Sequence, residues 1–98
     1  MVEEITTNRT INVGGNEGTF PIVTIVGLGT ITINGYSLKV TESNITIDSE
    51  LMTCTCDGIA KEDKVILDEF PILTPGDNEI TLDSGIEKII IKYRKGWL

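Results

Sequence analysis

Apolar and polar side chains alternate most regularly in residues 30–33 and 36–40, two runs that the dipeptide Asn34-Gly35 separates. Asn-Gly between two such runs favours a type I′ turn, because both central residues of that turn need a positive φ. The pattern therefore predicts a β-hairpin with a two-residue loop. The apolar side chains that this register places on one face of the sheet, and hence in the core, are Ile31, Ile33, Tyr36 and Leu38.

Residues 20–26 predict a strand of a different kind, because they are apolar at almost every position. Such a run is typical of a strand that is covered on both faces. We expect Phe20 to lie in the core. Pro21 must then stand at the start of the strand or on an edge, where no ladder hydrogen bond is lost.

Two later segments alternate with a period of two. The first has an apolar face of Ile45, Ile47 and Leu51. The second has an apolar face of Ile89, Ile91 and Tyr93 and a charged face of Lys88, Lys92 and Arg94. Short runs that Gly and Pro separate at intervals of about 8–12 residues are typical of an all-β sandwich or barrel. We expect one antiparallel β-sandwich domain over residues 1–98, with residues 1–10 as a flexible or linker-derived lead-in.

The segment after residue 73 predicts a tight turn. Pro75 presets φ for the second position of a type II turn, and Gly76 supplies the positive φ of the third. The Asn78 side chain can bond nearby backbone groups, as turn asparagines do. The return strand should point Ile80 and Leu82 inward.

Two other segments are predicted to be loops. Residues 57–64 are the most polar stretch and are expected to be mobile. The glycine-rich residues 14–18 resemble a phosphate-binding loop, but they lack the following Lys and a helix whose N-terminus would face the phosphate. A flexible turn is therefore favoured.

Composition and charge narrow the classes of function. Eight basic against fifteen acidic residues give a net charge of −7, which repels phosphate backbones and anionic lipid surfaces. The chain has no histidine, the commonest general base and metal ligand. No apolar run reaches the roughly 20 residues of a membrane-spanning helix. We therefore expect neither nucleic-acid nor membrane binding, no cofactor and no enzymatic activity.

Cysteines and carboxylates are the remaining candidates for chemistry. Cys54 and Cys56 lie two apart on a predicted strand, a spacing at or beyond the limit for an unstrained disulfide. Two reduced thiols are expected, with a redox or metal role as the alternative, although a zinc site needs about four ligands. A carboxylate pair in a cleft would suit a glycosidase, but a solvated acidic surface is the commoner outcome. The scattered acidic residues are Asp63, Asp68, Glu69, Asp77 and Asp83.

Several short motifs occur in a fixed order along nearly the whole chain. They are Asn12-x-Gly14, Phe20-Pro21-Ile22-x-x-Ile25-x-Gly27, the Asn34-Gly35 hairpin, Ile45-Thr46-Ile47-Asp48-Ser49-Glu50, Asp68-Glu69-Phe70-Pro71-Ile72-Leu73, Pro75-Gly76-x-Asn78-x-Ile80 and Ile89-x-Ile91-x-x-Arg94. In this order the motifs resemble the C-terminal domain of distal tail proteins from long, non-contractile-tailed bacteriophages and related prophages.

The resemblance implies a structural component of the virion tail, made in the cytoplasm of a bacterial host. Proteins of that family form a homo-hexameric ring that joins the tail tube to the baseplate or tail tip. Their C-terminal domain is a jelly-roll, galectin-like or carbohydrate-module-like sandwich that projects outward. The ring-forming N-terminal domain has no counterpart in this chain, so we expect an excised domain that is monomeric by itself.

Two functions follow as hypotheses. The first is a non-enzymatic domain that docks neighbouring tail, baseplate or receptor-binding proteins. The second is a carbohydrate-binding module for a host cell-wall polysaccharide, with Trp97 or Tyr36 as the stacking platform. The alternative explanation is that Trp97 covers a sheet edge and that Tyr36 is a core residue.

Overall fold

A computed structural model describes residues 2–15 and 18–93, and in this part of the chain nearly all regular structure is β. The only helix among these residues is a short 3₁₀ turn, Glu62–Lys64. The strands are β1 (Val2–Ile5), β2 (Arg9–Val13), β3 (Ile22–Gly27), β4 (Gly29–Ile33), β5 (Tyr36–Val40), β6 (Ile45–Asp48), β7 (Thr53–Cys56), β8 (Ile59–Ala60), β9 (Val65–Leu67), β10 (Gly76–Leu82) and β11 (Ile86–Lys92).

The strands form two sheets, and every pair of neighbouring strands is antiparallel. Sheet A has the order β1-β11-β3-β6-β7-β8, and sheet B has the order β2-β10-β4-β5-β9. The two sheets pack against each other around one apolar core. The predicted all-β antiparallel sandwich is thus confirmed.

Alternate side chains of both sheets fill the core, as a period of two requires. Burying one such aliphatic side chain contributes about 1.5–3 kcal/mol. The largest fully buried side chains of the core are Ile5, Ile25, Ile31, Ile33, Leu38, Ile45, Ile47, Leu73, Ile80, Ile89, Ile91 and Val13.

The hairpin of β4 and β5 has the predicted register, in which Ile33 opposes Tyr36 and Ile31 opposes Leu38. Asn34 and Gly35 have φ values of 51° and 85°, the positive values that the turn requires. Tyr36 is half-buried, so the prediction that it lies in the core is wrong. Tyr36 is the first residue of β5, and it lines a surface groove.

The segment around β3 departs from prediction in two ways. Strand β3 begins at Ile22, directly after Pro21, so the proline costs no ladder bond. Phe20, predicted to be in the core, is 51% exposed because it precedes the strand, in the connection between the two sheets. The outward-facing Ile22, Thr24 and Val26 are only half-buried, and no third sheet of the described residues packs over this face. The expected coverage on both sides is therefore wrong.

The face begun by Ile45 and Ile47 is buried as predicted, but it does not continue to Leu51. Strand β6 ends at Asp48, whose Oδ1 accepts hydrogen bonds from the backbone N–H groups of Glu50 and Leu51, both at 3.0 Å. The chain turns there, and Leu51 is 70% exposed.

The next predictions concern the residues that should face inward near the C-terminus. Ile89, Ile91 and Tyr93 are buried on one face of the last strand and its end, as predicted. Ile80 is buried, and Leu82 is half-buried against the core. Arg94 lies outside the described residues.

Two segments that were expected to be irregular contain strands. Residues 57–64 hold a hairpin turn, β8 and the 3₁₀ helix, so the predicted loop is wrong. Within the predicted lead-in, β1 pairs with β11 and Ile5 is 1% exposed, which makes these residues part of the sandwich. The predicted turn at 14–18 includes residues 16 and 17, which are not described.

Candidate functional site

Connecting segments of both sheets meet beside the turn between β4 and β5. Thr19 and Leu73 exchange two backbone hydrogen bonds, with N···O distances of 2.8 and 3.0 Å. The backbone N–H of Ser49 donates to the carbonyl of Pro21 at 3.1 Å. These bonds fasten residues 18–21 to the β6–β7 turn on one side and to residues 68–74 on the other.

Asn34 attaches its own turn to the same segments. Its Nδ2 donates to the carbonyl oxygen of Ile72 at 3.0 Å and to Oγ1 of Thr74 at 3.4 Å. Its backbone N–H donates to the carbonyl of Glu79 at 2.9 Å. The residue that shapes the hairpin turn therefore also holds the segment after β9 in place.

Asn78 builds the next turn from within. Its side chain is fully buried, and its Oδ1 accepts hydrogen bonds from the Thr74 backbone N–H at 2.9 Å and from the Thr74 hydroxyl at 3.3 Å. Its Nδ2 donates to the carbonyls of Thr74 and Gly76, at 2.9 and 3.0 Å. Gly76, which follows Pro75, has the positive φ expected of it, 97°. The turn is thus closed by side-chain bonds of the kind predicted for Asn78.

These segments enclose a cleft of about 330 Å³, which we call the Phe20–Phe70 cleft. Its walls are mostly apolar, and its exposed aromatic ring is Phe20. Phe70 and Ile72 are half-buried, whereas Met52 is 67% exposed. The lining residues are Phe20, Ser49, Met52, Asp68, Glu69, Phe70 and Ile72.

Asp68 and Glu69 supply the negative charge of the cleft. Both residues are exposed, and no lysine or arginine of the described residues forms a salt bridge with either. The acidic residues that were expected to be scattered and solvated include this adjacent pair beside an apolar surface.

Ser49 is the buried polar residue of the cleft. The side chain is 1% exposed, and among the described residues its Oγ has no hydrogen-bond partner. A buried hydroxyl without a partner costs about 1–3 kcal/mol, and such groups in proteins are ordinarily satisfied by water or ligand. Ser49 therefore marks a place where a hydrogen-bonding group is favoured.

A second depression, of about 360 Å³, continues from the same two carboxylates to the hairpin. We call it the Tyr36 groove, and its lining residues are Gly35, Tyr36, Ser37, Asp68 and Glu69. Of the two predicted stacking platforms, Tyr36 lies in this groove. Trp97 lies outside the described residues.

The cysteines are not part of either depression. Cys54 is buried in β7 and Cys56 is half-buried, and both are free thiols. Burial, and secondarily the negative charge of Glu62, raises the pKa of the Cys54 thiol. A raised pKa lowers the thiolate fraction, and with it the reactivity of the thiol.

Neither a cluster of metal-ligating side chains nor a membrane-spanning helix is found in the described part of the chain. Among residues 2–15 and 18–93, no three His, Cys, Asp or Glu side chains are grouped to hold a metal ion. Within the same residues, no helix has the length and apolar character needed to cross a bilayer.

The sequence predictions missed the aromatic walls of the cleft. Phe20 and Phe70 each precede a proline, and both Pro21 and Pro71 are buried. The residue before proline is restricted to extended or turn conformations, so Phe-Pro typically marks the end of a regular element. This dipeptide, which occurs twice, was the available signal that both rings lie outside the strands.

A comparison of the chain with models of protein families, with curated proteins and with solved structures finds no match.

Proposed function

We propose that the chain is the outward-facing C-terminal domain of a phage distal tail protein, a non-enzymatic component that docks neighbouring tail or receptor-binding proteins. In the full-length protein a separate domain would form the hexameric ring that joins the tail tube to the baseplate or tail tip. The observation that carries the proposal is the convergence of the ordered motifs on one surface. Phe20-Pro21 and residues 68–78 are far apart in the chain, yet they meet at the Phe20–Phe70 cleft, where Asn34 bonds the carbonyl of the lining residue Ile72.

The order of the strands supports the jelly-roll fold that the resemblance to this family implies. At corresponding places in the two sheets stand β1 and β2, then β11 and β10, then β3 and β4, then β6 and β5. Each of these pairs is consecutive in the chain and divided between the sheets. Such alternation is what a ribbon of paired strands produces when it rolls up into a double-sheet jelly roll.

The surface of the cleft has the composition of a protein interface. Aromatic residues and methionine are enriched at the centres of interfaces, and polar groups surround them. Here the exposed Phe20 and Met52 lie beside the carboxylates of Asp68 and Glu69. An apolar patch with a charged rim suits docking through shape and complementary charge.

The experiment that tests the proposal is immunogold electron microscopy of virions from the strain that encodes the chain. Antibodies raised against the 98-residue chain should label the distal end of the tail. Particles labelled on the capsid, or intact tails that remain unlabelled while the disrupted particles also lack the antigen, would contradict it.

A carbohydrate-binding module is the second candidate, and the Tyr36 groove is the observation that favours it. A half-buried tyrosine beside two carboxylates and the Ser37 hydroxyl can stack on a sugar ring while acceptors bind its hydroxyl groups. Titration with the host's cell-wall polysaccharide tests this function. Binding that the Tyr36→Leu variant loses would favour it, and no binding at millimolar ligand would exclude it.

A further inference from the structure

We infer that the Phe20–Phe70 cleft receives a basic side chain from an extended segment of the protein that the domain docks, and that arginine is the preferred residue. The inference rests on the proposed docking function and specifies the chemistry of the partner. Its basis is the combination of aromatic walls with two carboxylates and a buried hydroxyl that have no partners within residues 2–15 and 18–93.

The walls of the cleft suit the apolar part of such a side chain. Long basic side chains bury their methylene stems along apolar surfaces and keep the charged end near water. Phe20, Phe70 and Met52 offer a surface of this kind. An aromatic ring also attracts a cation that lies over its face, and arginine is the more frequent partner.

The carboxylates supply the charge complementarity. Four acidic side chains of the described residues form salt bridges, for example Glu3 with Arg9. Most of the others do not, and Asp68 and Glu69 differ from these in that they line a mostly apolar cleft. Asp68 and Glu69 have no such partner among the described residues. A guanidinium can bond a carboxylate through two parallel N–H groups, which fixes its orientation as well as its charge. A net charge of −7 would attract a basic segment from a distance.

Ser49 argues against a purely apolar occupant. A leucine or phenylalanine of the partner would fill the cleft and leave the Ser49 hydroxyl without a hydrogen bond. A guanidinium has five N–H donors, more than one carboxylate can accept. After bonding a carboxylate, a guanidinium in the cleft thus still has N–H donors to offer the Ser49 side chain, which is part of the lining.

The size of the cleft limits the occupant to one side chain with its neighbouring backbone. A volume of about 330 Å³ is at the lower end of the range for sites that hold small molecules. A helix, about 10–12 Å across with its side chains, needs a much longer groove. An extended segment with a single inserted side chain meets this limit.

The test is a titration of the isotopically labelled chain, followed by amide chemical shifts in NMR spectra. The probe is the capped tripeptide Gly-Arg-Gly, and its control is the tripeptide with citrulline, which has nearly the same shape but no charge. The arginine tripeptide should shift amides of residues 18–21, 49–52 and 68–72. Its affinity should exceed that of the citrulline tripeptide about fivefold, the effect of one solvent-accessible ion pair, and should fall as salt is added.

Variants locate the effect. The double variant Asp68→Asn with Glu69→Gln keeps the shape of two exposed side chains and should bind both tripeptides equally. A matched control, Asp77→Asn with Glu79→Gln, removes the same charge from exposed positions of β10 and should keep the preference for arginine. Phe20→Leu should weaken both tripeptides, because it removes the ring and leaves the carboxylates.

The results that would contradict this inference differ from those that would contradict the docking proposal. Equal binding of the two tripeptides to the unchanged chain, or no shift at the cleft with millimolar arginine tripeptide, would overturn the inference. Shifts of the same amides by cell-wall polysaccharide alone would also overturn it and would favour the carbohydrate function. In either case tails that are labelled at their distal end would leave the docking proposal intact, whereas its failure would appear as virions without the antigen.

Discussion

Two turns of the molecule have nearly the same local structure and very different surroundings. In the β4–β5 hairpin, Asn34 and Gly35 have φ values of 51° and 85°; in the β7–β8 hairpin, Asp57 and Gly58 have 51° and 80°. The first turn is bonded to residues 72, 74 and 79 through the side chain and backbone of Asn34. The second turn leads into the two exposed residues of edge strand β8.

The difference shows which part of the structure the dipeptide determines. An Asn-Gly or Asp-Gly pair sets the conformation of the turn, because both residues accept a positive φ. It does not determine what the turn supports. The Asn34 amide bonds a neighbouring segment and so helps to build the Phe20–Phe70 cleft. Asp57, in contrast, lies in the turn that leads to the exposed edge strand of sheet A.

The largest expected effect comes from the side chain that closes the segment on which the Asn34 turn rests. Asn78→Ala removes four part-buried hydrogen bonds, which join the buried Asn78 side chain to Thr74 and to the carbonyl of Gly76. We expect a loss of about 2–4 kcal/mol in the free energy of unfolding. Urea denaturation followed by circular dichroism measures it.

The matched control for this variant is Asn12→Ala. Asn12 is exposed on β2, and its Nδ2 donates a hydrogen bond to Oδ1 of the exposed Asp77 at 3.1 Å. Its loss should cost no more than about 0.5 kcal/mol. Equal losses for the two variants would show that the buried network contributes nothing specific.

A smaller effect separates the two turns directly. Asn34→Asp keeps a residue that tolerates positive φ but removes the Nδ2 donor to Ile72, so we expect a loss of about 1–2 kcal/mol in unfolding free energy. Asp57→Asn makes the reverse change at the unsupported turn and should alter stability by less than about 0.5 kcal/mol. Similar values for both variants in the same denaturation experiment would remove the distinction drawn here.

The smallest effect concerns strand β7, which carries the second turn. Burial raises the folded-state pKa of the Cys54 thiol above its ordinary value of 9.0. The buried thiol's contribution is therefore complete below pH 9.0 and is lost as pH rises through the folded-state pKa. We expect the difference in stability between the unchanged chain and Cys54→Ala to narrow above that pH.

Thermal unfolding of both proteins at a series of pH values measures this difference. The pKa of Tyr93 is also raised, mainly by burial and secondarily by Glu3. Cys54→Ala should therefore still lose stability in alkali, but less steeply. A gap between the two proteins that stays constant from neutral pH into the alkaline range would show that the thiol does not contribute in this way.

The sequence predicted those parts of the fold that alternation and local turn chemistry control. The register around Asn34, the burial of Ile45 and Ile47 and the turn at Gly76 all follow from residues close together in the chain. Asp57-Gly58 carried the same signal as Asn34-Gly35, but the polar residues after it favoured a loop.

The candidate site was less predictable, because it depends on contacts between distant segments. Phe20 and Phe70 are fifty positions apart, and nothing local shows that the Thr19–Leu73 bridge brings their segments together. That the Ser49 hydroxyl has no partner in the described structure likewise becomes apparent only when its surroundings are known. The prediction that Leu51 is buried is wrong for a related reason. Hydrogen bonds to the Asp48 carboxylate turn the chain before the alternation reaches Leu51.

The most direct test of the account is a cryo-electron microscopy map of the assembled tail tip at side-chain resolution. The map should show this sandwich at the distal end of the tail, with an extended segment of a neighbouring protein in the Phe20–Phe70 cleft and a basic side chain beside Asp68 and Glu69. A map in which the domain meets its neighbours only through other surfaces, with the cleft open to solvent, would contradict it.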